Sequence, residues 1–228
     1  MKRRYGTALL GAGMLSVSLL LPACNSHSGK SSTKEAMQII QDSQVMIEGS
    51  IQSELVEITP SDVWEKTGSQ LFRITVSDSL ETYVLANNKA VRIGIGFGGY
   101  GVTSVVPFDV NKDGTMDLVY AYSFGSGIHR SVISWLDLSN LTEHGAKGRQ
   151  TAADEEKPGG FRTYDLILKA KEQEIVVYRI ENKHNREETG KALRAYPAAK
   201  DIKTMTLTKD SVLVPDNNEL YNEKVDGG

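Results

Sequence analysis

The sequence predicts a mainly β chain: a single antiparallel β-rich domain, sandwich-like or built from strongly twisted sheets, with one or two short helices. Three observations carry that reading. About ten short runs rich in Val, Ile, Tyr and Phe follow one another with turn residues between them. Apolar and polar residues alternate with period two at 71–76, and at 120–124 three aromatics alternate with Ala121 and Ser123, so that they share one strand face. The motif D-x-N-x-D-G occurs once rather than at a fixed period, so the chain does not read as a full propeller.

The 228 residues do not all belong to that domain. Lys2, Arg3 and Arg4 precede an apolar stretch over 8–21, and Leu21-Pro22-Ala23-Cys24 closes it, which assigns 1–23 to a secretory signal. The closing tetrad resembles the lipobox of bacterial lipoproteins, and the resemblance implies acylation of Cys24 and an extracytoplasmic protein anchored to the cell membrane or outer membrane. Cys24 is also the sole cysteine, so no intramolecular disulfide is available to the exported chain. Two or more acyl chains on one residue anchor stably where one binds reversibly. Loss of the three basic residues takes 26 Lys and Arg to 23 against 29 Asp and Glu, a balance of −6. That balance, with no basic face carrying interleaved aromatics, argues against a nucleic-acid partner.

Residues 24–33 are small and polar and read as a flexible tether. Ala36, Ile39, Ile40 and Ile47 recur at helical spacing and predict an amphipathic helix over 34–47. Thr59 as a cap, Pro60 in the first turn and Gly68 after the last predict a one- or two-turn helix, with Trp64 as a core anchor. Strands are expected at 70–76, 81–86 and 90–95, the last two joined by a tight Asn87-Asn88 turn. Residues 94–99 match G-x-G-x-x-G, yet a strand pattern follows instead of the helix whose N-terminus would bind pyrophosphate; the glycines are expected to serve a bulge, a bend or close strand approach, with Phe97 and Tyr100 covering one side. Tyr120, Tyr122 and Phe124 share one strand face and are expected in the core. A strand over 132–136 follows, then an exposed loop over 139–160, a hairpin from 161–168 and 174–180, a second loop over 182–199, and short strands at 205–207 and 212–214. The domain is thus bounded at 34–215, with 216–228 as a polar tail.

The stretch 109–120, DVNKDGTMDLVY, places Asp109, Asn111, Asp113 and Asp117 at loop positions one, three, five and nine, with Gly114 at six and Thr115 at seven. Calcium takes six to eight oxygen ligands, a Gly at position six permits the sharp bend, and position seven ligates through its backbone carbonyl. An EF-hand would place Glu at position twelve, where Tyr120 stands, and the β-branched and aromatic flanks make this a loop between two strands. The stretch resembles the calcium loop of FG-GAP and VCBS-type repeats, which implies bound calcium at Asp109, Asn111, Asp113, Thr115 and Asp117. Asx-rich turns also form without metal through side-chain hydrogen bonds to their own backbone. Three carboxylates within nine residues nevertheless repel one another unless a cation lies between them.

His129 and Arg130 are candidate ligand-binding residues, since Arg grips carboxylates in paired hydrogen bonds and His exchanges protons near neutral pH. No nucleophile elbow accompanies them, because Phe124 stands two residues before Ser126 where Gly is required. The KTG of 66–68 together with 94–104 and 122–131 is similar to a family of exported bacterial lipoproteins, which implies that 94–131 is one unit and supplies no reaction. The expected function is therefore a lipid-anchored binding or structural module, contacting the membrane through Cys24 and an envelope glycan, peptide or protein. Two alternatives stay open: a cell-envelope hydrolase using His129 with the nearby carboxylates, and a membrane-tethered accessory subunit or sensor.

Overall fold

A computed structural model of the protein describes residues 29–46, 48–49, 51–77, 79–94, 96–125, 130–148, 165–180 and 206–224. The signal segment 1–23, Cys24 and His129 lie outside the described residues, as do 149–164 and the expected loop at 182–199.

The expected β-rich class is what the chain adopts. Among the described residues the strands form three sheets, each assembled from strands consecutive in sequence. The first contains β1 (Val56–Glu57), β2 (Gln70–Val76), β3 (Ser79–Ala86) and β4 (Lys89–Ile93); the second contains β5 (Gly101–Phe108), β6 (Asp117–Phe124), β7 (Arg130–Asp137) and β8 (Thr142–Gly145). The third contains β9 (Lys147–Gly148), β10 (Leu166–Ala170), β11 (Ile175–Ile180), β12 (Leu207–Asp216) and β13 (Glu219–Lys224) in the order β10-β11-β12-β13-β9. Among the described residues all pairings are antiparallel except the two-residue ladder between β13 and β9. Consecutive meanders are the cheap topology, because two-residue turns close antiparallel neighbours without a crossover.

The sheets stack face to face, and the second lies in the middle. Leu118, Tyr120 and Tyr122 of β6 pack with Leu71, Val84 and Ile93 of the first sheet. The alternate residues Val119 and Ala121 pack with Leu166, Ile175, Val177 and Leu213 of the third. Both periods of β6 are therefore apolar, and Leu118 to Ala121 are fully buried. The three aromatics of β6 share a face as expected, with Tyr120 to Tyr122 and Tyr122 to Phe124 ring separations of 6.2 and 6.0 Å. The far face of the first sheet is closed by α1 (Thr33–Asp42), whose Ala36 and Ile40 meet Phe72, Ile74 and Tyr83.

Helix α1 starts with a capping box: Glu35 N–H donates to Ser32 Oγ at 3.3 Å and Ser32 N–H donates to Glu35 Oε2 at 2.8 Å. It ends at Asp42, short of the expected 47, where Gln44 takes a left-handed φ of 55°. The end of the expected tether is fixed to the domain. Ser31 and Gln70 exchange two hydrogen bonds, of 2.8 and 3.1 Å, and Lys30 pairs with Glu57 at 2.6 Å. Helix α2 (Ser61–Thr67) stops at left-handed Gly68, as expected, but Pro60 occupies the N-cap position. Thr59 is not the helix cap, because its hydroxyl accepts from Leu71 N–H of β2 at 2.9 Å. Trp64 is not the core anchor either. Val63 is the buried residue of α2, and Trp64 lies about 100° further round the helix, half-buried.

Three further expectations are revised. Within the expected exposed loop, Thr142–Gly145 adds to β7 as an edge strand whose residues are all exposed, so no alternation marked it. Residues 205–207 and 212–214 are not two strands: a single β12 runs Leu207–Asp216. The fold continues past 215, since Asn217 and Asn218 at φ 50° and 62° turn the chain into β13, repeating the Asn87-Asn88 device at φ 53° and 59°. Pro215 fits within β12 because β11 stops pairing at Leu213, leaving no partner for the missing N–H.

The glycine run serves close approach, as the sequence suggests. A Cβ on Gly96 would lie 2.1 Å from Leu80 O, and one on Gly99 2.1 Å from Ser123 O. Tyr100 is buried, but Phe97 projects outward and is 57% exposed, so only one of the expected pair covers the core. The bulge itself sits later, at Thr103, where the β5–β6 register shifts. Thr103 Oγ donates to Leu166 O at 3.1 Å and Leu168 N–H donates to Ser104 Oγ at 2.9 Å, which tie the middle sheet to β10.

Gly99→Ala is expected to lower unfolding free energy by about 3 kcal/mol or more, since the new methyl meets backbone that cannot move aside. Gly145→Ala has open space around the added carbon and is expected to change little, which urea denaturation of the two variants would resolve. Glu81 supplies a pH prediction. Burial raises its pKa above the ordinary 4.5, only partly offset by Arg92 at 3.7 Å and by Ser79. A raised folded pKa means that the group's contribution is fully present below pH 4.5 and lost as pH rises through the folded value. Glu81→Gln should therefore raise the melting temperature at pH 7 and confer no gain at pH 4.

Candidate functional site

The acidic loop joins β5 to β6, directly beyond the Phe108–Asp117 pair that ends their ladder. Its geometry follows from short side chains turning back on their own backbone. Asp113 N–H is shared between Asp109 Oδ1 at 3.2 Å and Asn111 Oδ1 at 3.1 Å, Gly114 N–H donates to Asp109 Oδ2 at 3.0 Å, and Thr115 N–H donates to Asp113 Oδ1 at 2.7 Å. Asn111 Nδ2 donates to Asp113 Oδ2 at 3.0 Å. Lys112 at φ 60° and Gly114 at φ 87° supply the left-handed bends that wind the chain around this cluster. The Thr115 amide holds the exposed Asp113 carboxyl below its usual range.

Asp109, Asn111 and Asp113 are thus tied together by loop amides, while Asp117 accepts a different pair of amides. Its carboxylate is fully buried and accepts Val110 N–H at 3.0 Å on Oδ2 and Leu138 N–H at 3.3 Å on Oδ1. Burial is the largest influence on it and pushes its pKa up to about 6, against the lowering effect of those two amides; Asp137 and Asp113 raise it further. Asp137 was not singled out from the sequence. It is buried at the end of β7, and its carboxylate receives Ser139 N–H at 2.8 Å, Ser139 Oγ at 2.6 Å and Asn140 Nδ2 at 2.9 Å.

Among the described residues, no three His, Cys, Asp or Glu side chains gather in a way that could hold an ion. The loop presents oxygen donors of mixed kind: the Asp109 and Asp113 carboxylates and the Asn111 amide oxygen each accept loop amides, and Asn111 Nδ2 also donates to Asp113, with lone pairs beyond those used. That chemistry fits calcium, with Asp109, Asn111 and Asp113 as its side-chain ligands and a main-chain carbonyl to complete them. Asp117 would contribute only through lone pairs left over from its two amide bonds.

Arg130 is the exposed first residue of β7 and pairs with Phe124. The whole of β6 separates it from Asp117, seven residue steps or about 23 Å. The structure therefore does not bring Arg130 to the acidic loop. His144 stacks flat on Trp135, with ring centroids 4.4 Å apart and planes 20° apart, so its ring is used in packing.

A polar groove of about 570 Å³ opens beside the loop. Gly114 to Met116 form one wall, Trp64 and Lys66 of α2 another, Asn87 and Asn88 a third, and Gly29 and Ser31 border it where the described chain begins. Its lining contains Lys66 and no carboxylate. Sequence reasoning missed the groove because its lining comes from six segments far apart in the chain: 29–31, 39, 64–70, 85–88, 114–116 and 138.

The double role of Asp117 as acceptor yields a prediction. Asp117→Ala leaves two amides without their acceptor and is expected to destabilise the domain by about 2–4 kcal/mol. Asp109→Ala, in an exposed loop, is expected to cost about 1 kcal/mol or less in the absence of metal. Chemical denaturation in chelator checks both values. Comparison with protein-family models, with curated proteins and with solved structures found no match to this chain.

Proposed function

We propose that this chain is a lipid-anchored extracytoplasmic binding or structural module whose β5–β6 hairpin is closed by a calcium ion. The observation that carries the reading is the convergence of Asp109, Asn111 and Asp113 on one loop, with Asp117 fastening its C-terminal end to the buried middle sheet. Bound calcium would offset the mutual repulsion of the loop carboxylates. Asp109 and Asp113 hold the loop amides, Gly114 permits the bend, and the hairpin below presents the groove wall.

Anchoring rests on Cys24 after the apolar stretch 8–21, and no helix among the described residues is long and apolar enough to cross a membrane. The partners of such a module are the membrane itself, through lipidated Cys24, and an envelope glycan, peptide or protein. A hydrolase built on His129 and the loop carboxylates draws no support from the position of Arg130, which stands at the other end of β6. The reading of a tethered accessory subunit or sensor has no observation that favours it over a binding module.

Two measurements test the proposal. Protein stripped with chelator should melt higher when calcium is restored: at a concentration one hundredfold above Kd the gain is about 2.7 kcal/mol, a rise of about 5–10 °C for a domain of this size. Asp113→Ala should erase most of that rise. An unchanged melting temperature in millimolar calcium would reduce the loop to an Asx-rich turn. Separately, Cys24→Ser should move the protein from the membrane to the soluble fraction, and equal retention of both forms would refute the anchor.

A further inference from the structure

We propose that the groove between α2 and the acidic loop faces the anchoring membrane and takes the headgroup of an anionic phospholipid from it. The inference rests on the reading that Cys24 is lipidated, and it adds which face of the domain meets the bilayer and what that face binds.

Gly29 lines the groove and Ser31 is pinned to Gln70 by two hydrogen bonds, so the path from the anchor into the domain ends at the groove itself. Five residue steps separate Cys24 from Gly29, and a fully extended chain covers at most about 18 Å in that span. The groove rim is therefore held close to the lipid surface. The other end of the first sheet is further away: Phe97 bridges to Ser79, at the opposite end of β3 from the groove residues Leu85 and Ala86, about 24 Å along the strand.

The chain as a whole is acidic, yet the groove lining holds Lys66 and no carboxylate. Lys30, paired with Glu57, places its Nζ 5.4 Å from the Trp64 ring centroid. Asn87, Asn88 and Ser69 bring amide and hydroxyl donors to the same space. A phosphodiester needs a cation and several donors. Trp64 is half-buried and Met116 is 37% exposed beside them, and Trp with Lys is the pairing that suits the boundary between headgroups and acyl chains. The acidic loop adjoins the wall formed by Gly114 to Met116, so an ion held there would also lessen repulsion of an anionic surface.

The chain has two tryptophans, and they separate the outcomes. Trp64 borders the groove whereas Trp135 is 2% exposed in the core. Full-length lipidated protein, reconstituted with calcium into phosphatidylcholine vesicles carrying nitroxide-labelled phosphatidylglycerol, is expected to float with the vesicles and lose most of its Trp64 emission. Trp64→Phe should leave only unquenched Trp135 emission, Lys66→Glu should diminish the quenching, and Phe97→Trp in the Trp64→Phe background should stay bright. Flotation without quenching of Trp64 overturns the headgroup site while leaving the anchor standing. Equal quenching by nitroxide-labelled phosphatidylcholine overturns its anionic character, and quenching at position 97 reverses the orientation. Failure to float refutes the anchor, and the inference falls with it.

Discussion

Burial of the middle sheet on both faces is the constraint on which the rest of the structure depends. β5 and β6 can be apolar on both periods only if something covers each side, and the first and third sheets are the covers. Both outer sheets in turn owe much of their inner face to this one. Removing apolar area from water is non-directional, so it brings the layers together without specifying their register. Register comes from polar groups placed inside the stack: Arg73 donates to Val102 O from the first sheet, and Thr103 and Ser104 bond β10 of the third. A buried donor or acceptor left without a partner costs more than a misplaced methyl group, so these bonds select one stacking among many.

Asp117 carries the same logic into the candidate site. It is the first residue of β6, buried, and it holds the amides of Val110 in the acidic loop and Leu138 beyond β7. The loop is therefore not an appendage. Its C-terminal stem is continuous with β6, buried at every residue but Phe124, while Asp109, Asn111 and Asp113 stay nearer the surface, organised by loop amides. That division sets partly exposed oxygen donors above a buried framework.

The two ends of the stack differ in character. One gathers the acidic loop, the Asn87-Asn88 turn, α2 and the first described residues around a polar groove. The other carries the glycine-rich approach of Gly96 to Leu80 and Gly99 to Ser123, with Phe97 exposed at its tip and Arg130 at the start of β7. Strand length keeps these two groups of residues apart. The polarity of the fold thus bears on function directly, since residues close in sequence to the acidic loop, such as Arg130, belong to the opposite end.

The sequence by itself determined the β-rich class, most strand positions between 70 and 136, the Gly68 stop of α2, the close approach of the glycine run and the pattern of acidic loop residues. These are local matters: side-chain period, left-handed φ and Asx chemistry act over a few residues and leave their mark in composition. Only tertiary structure decided that there are three layers, because an apolar period on both faces of β6 states that it is covered twice without stating by what. It also decided that Trp64 borders a groove, since a helix of seven residues has too few turns to announce which side is buried. β8, the exposed edge strand of the second sheet, was hidden for a related reason. Edge strands gain stability from main-chain pairing with a neighbour, and main-chain hydrogen bonds place no demand on side chains that a sequence pattern could record.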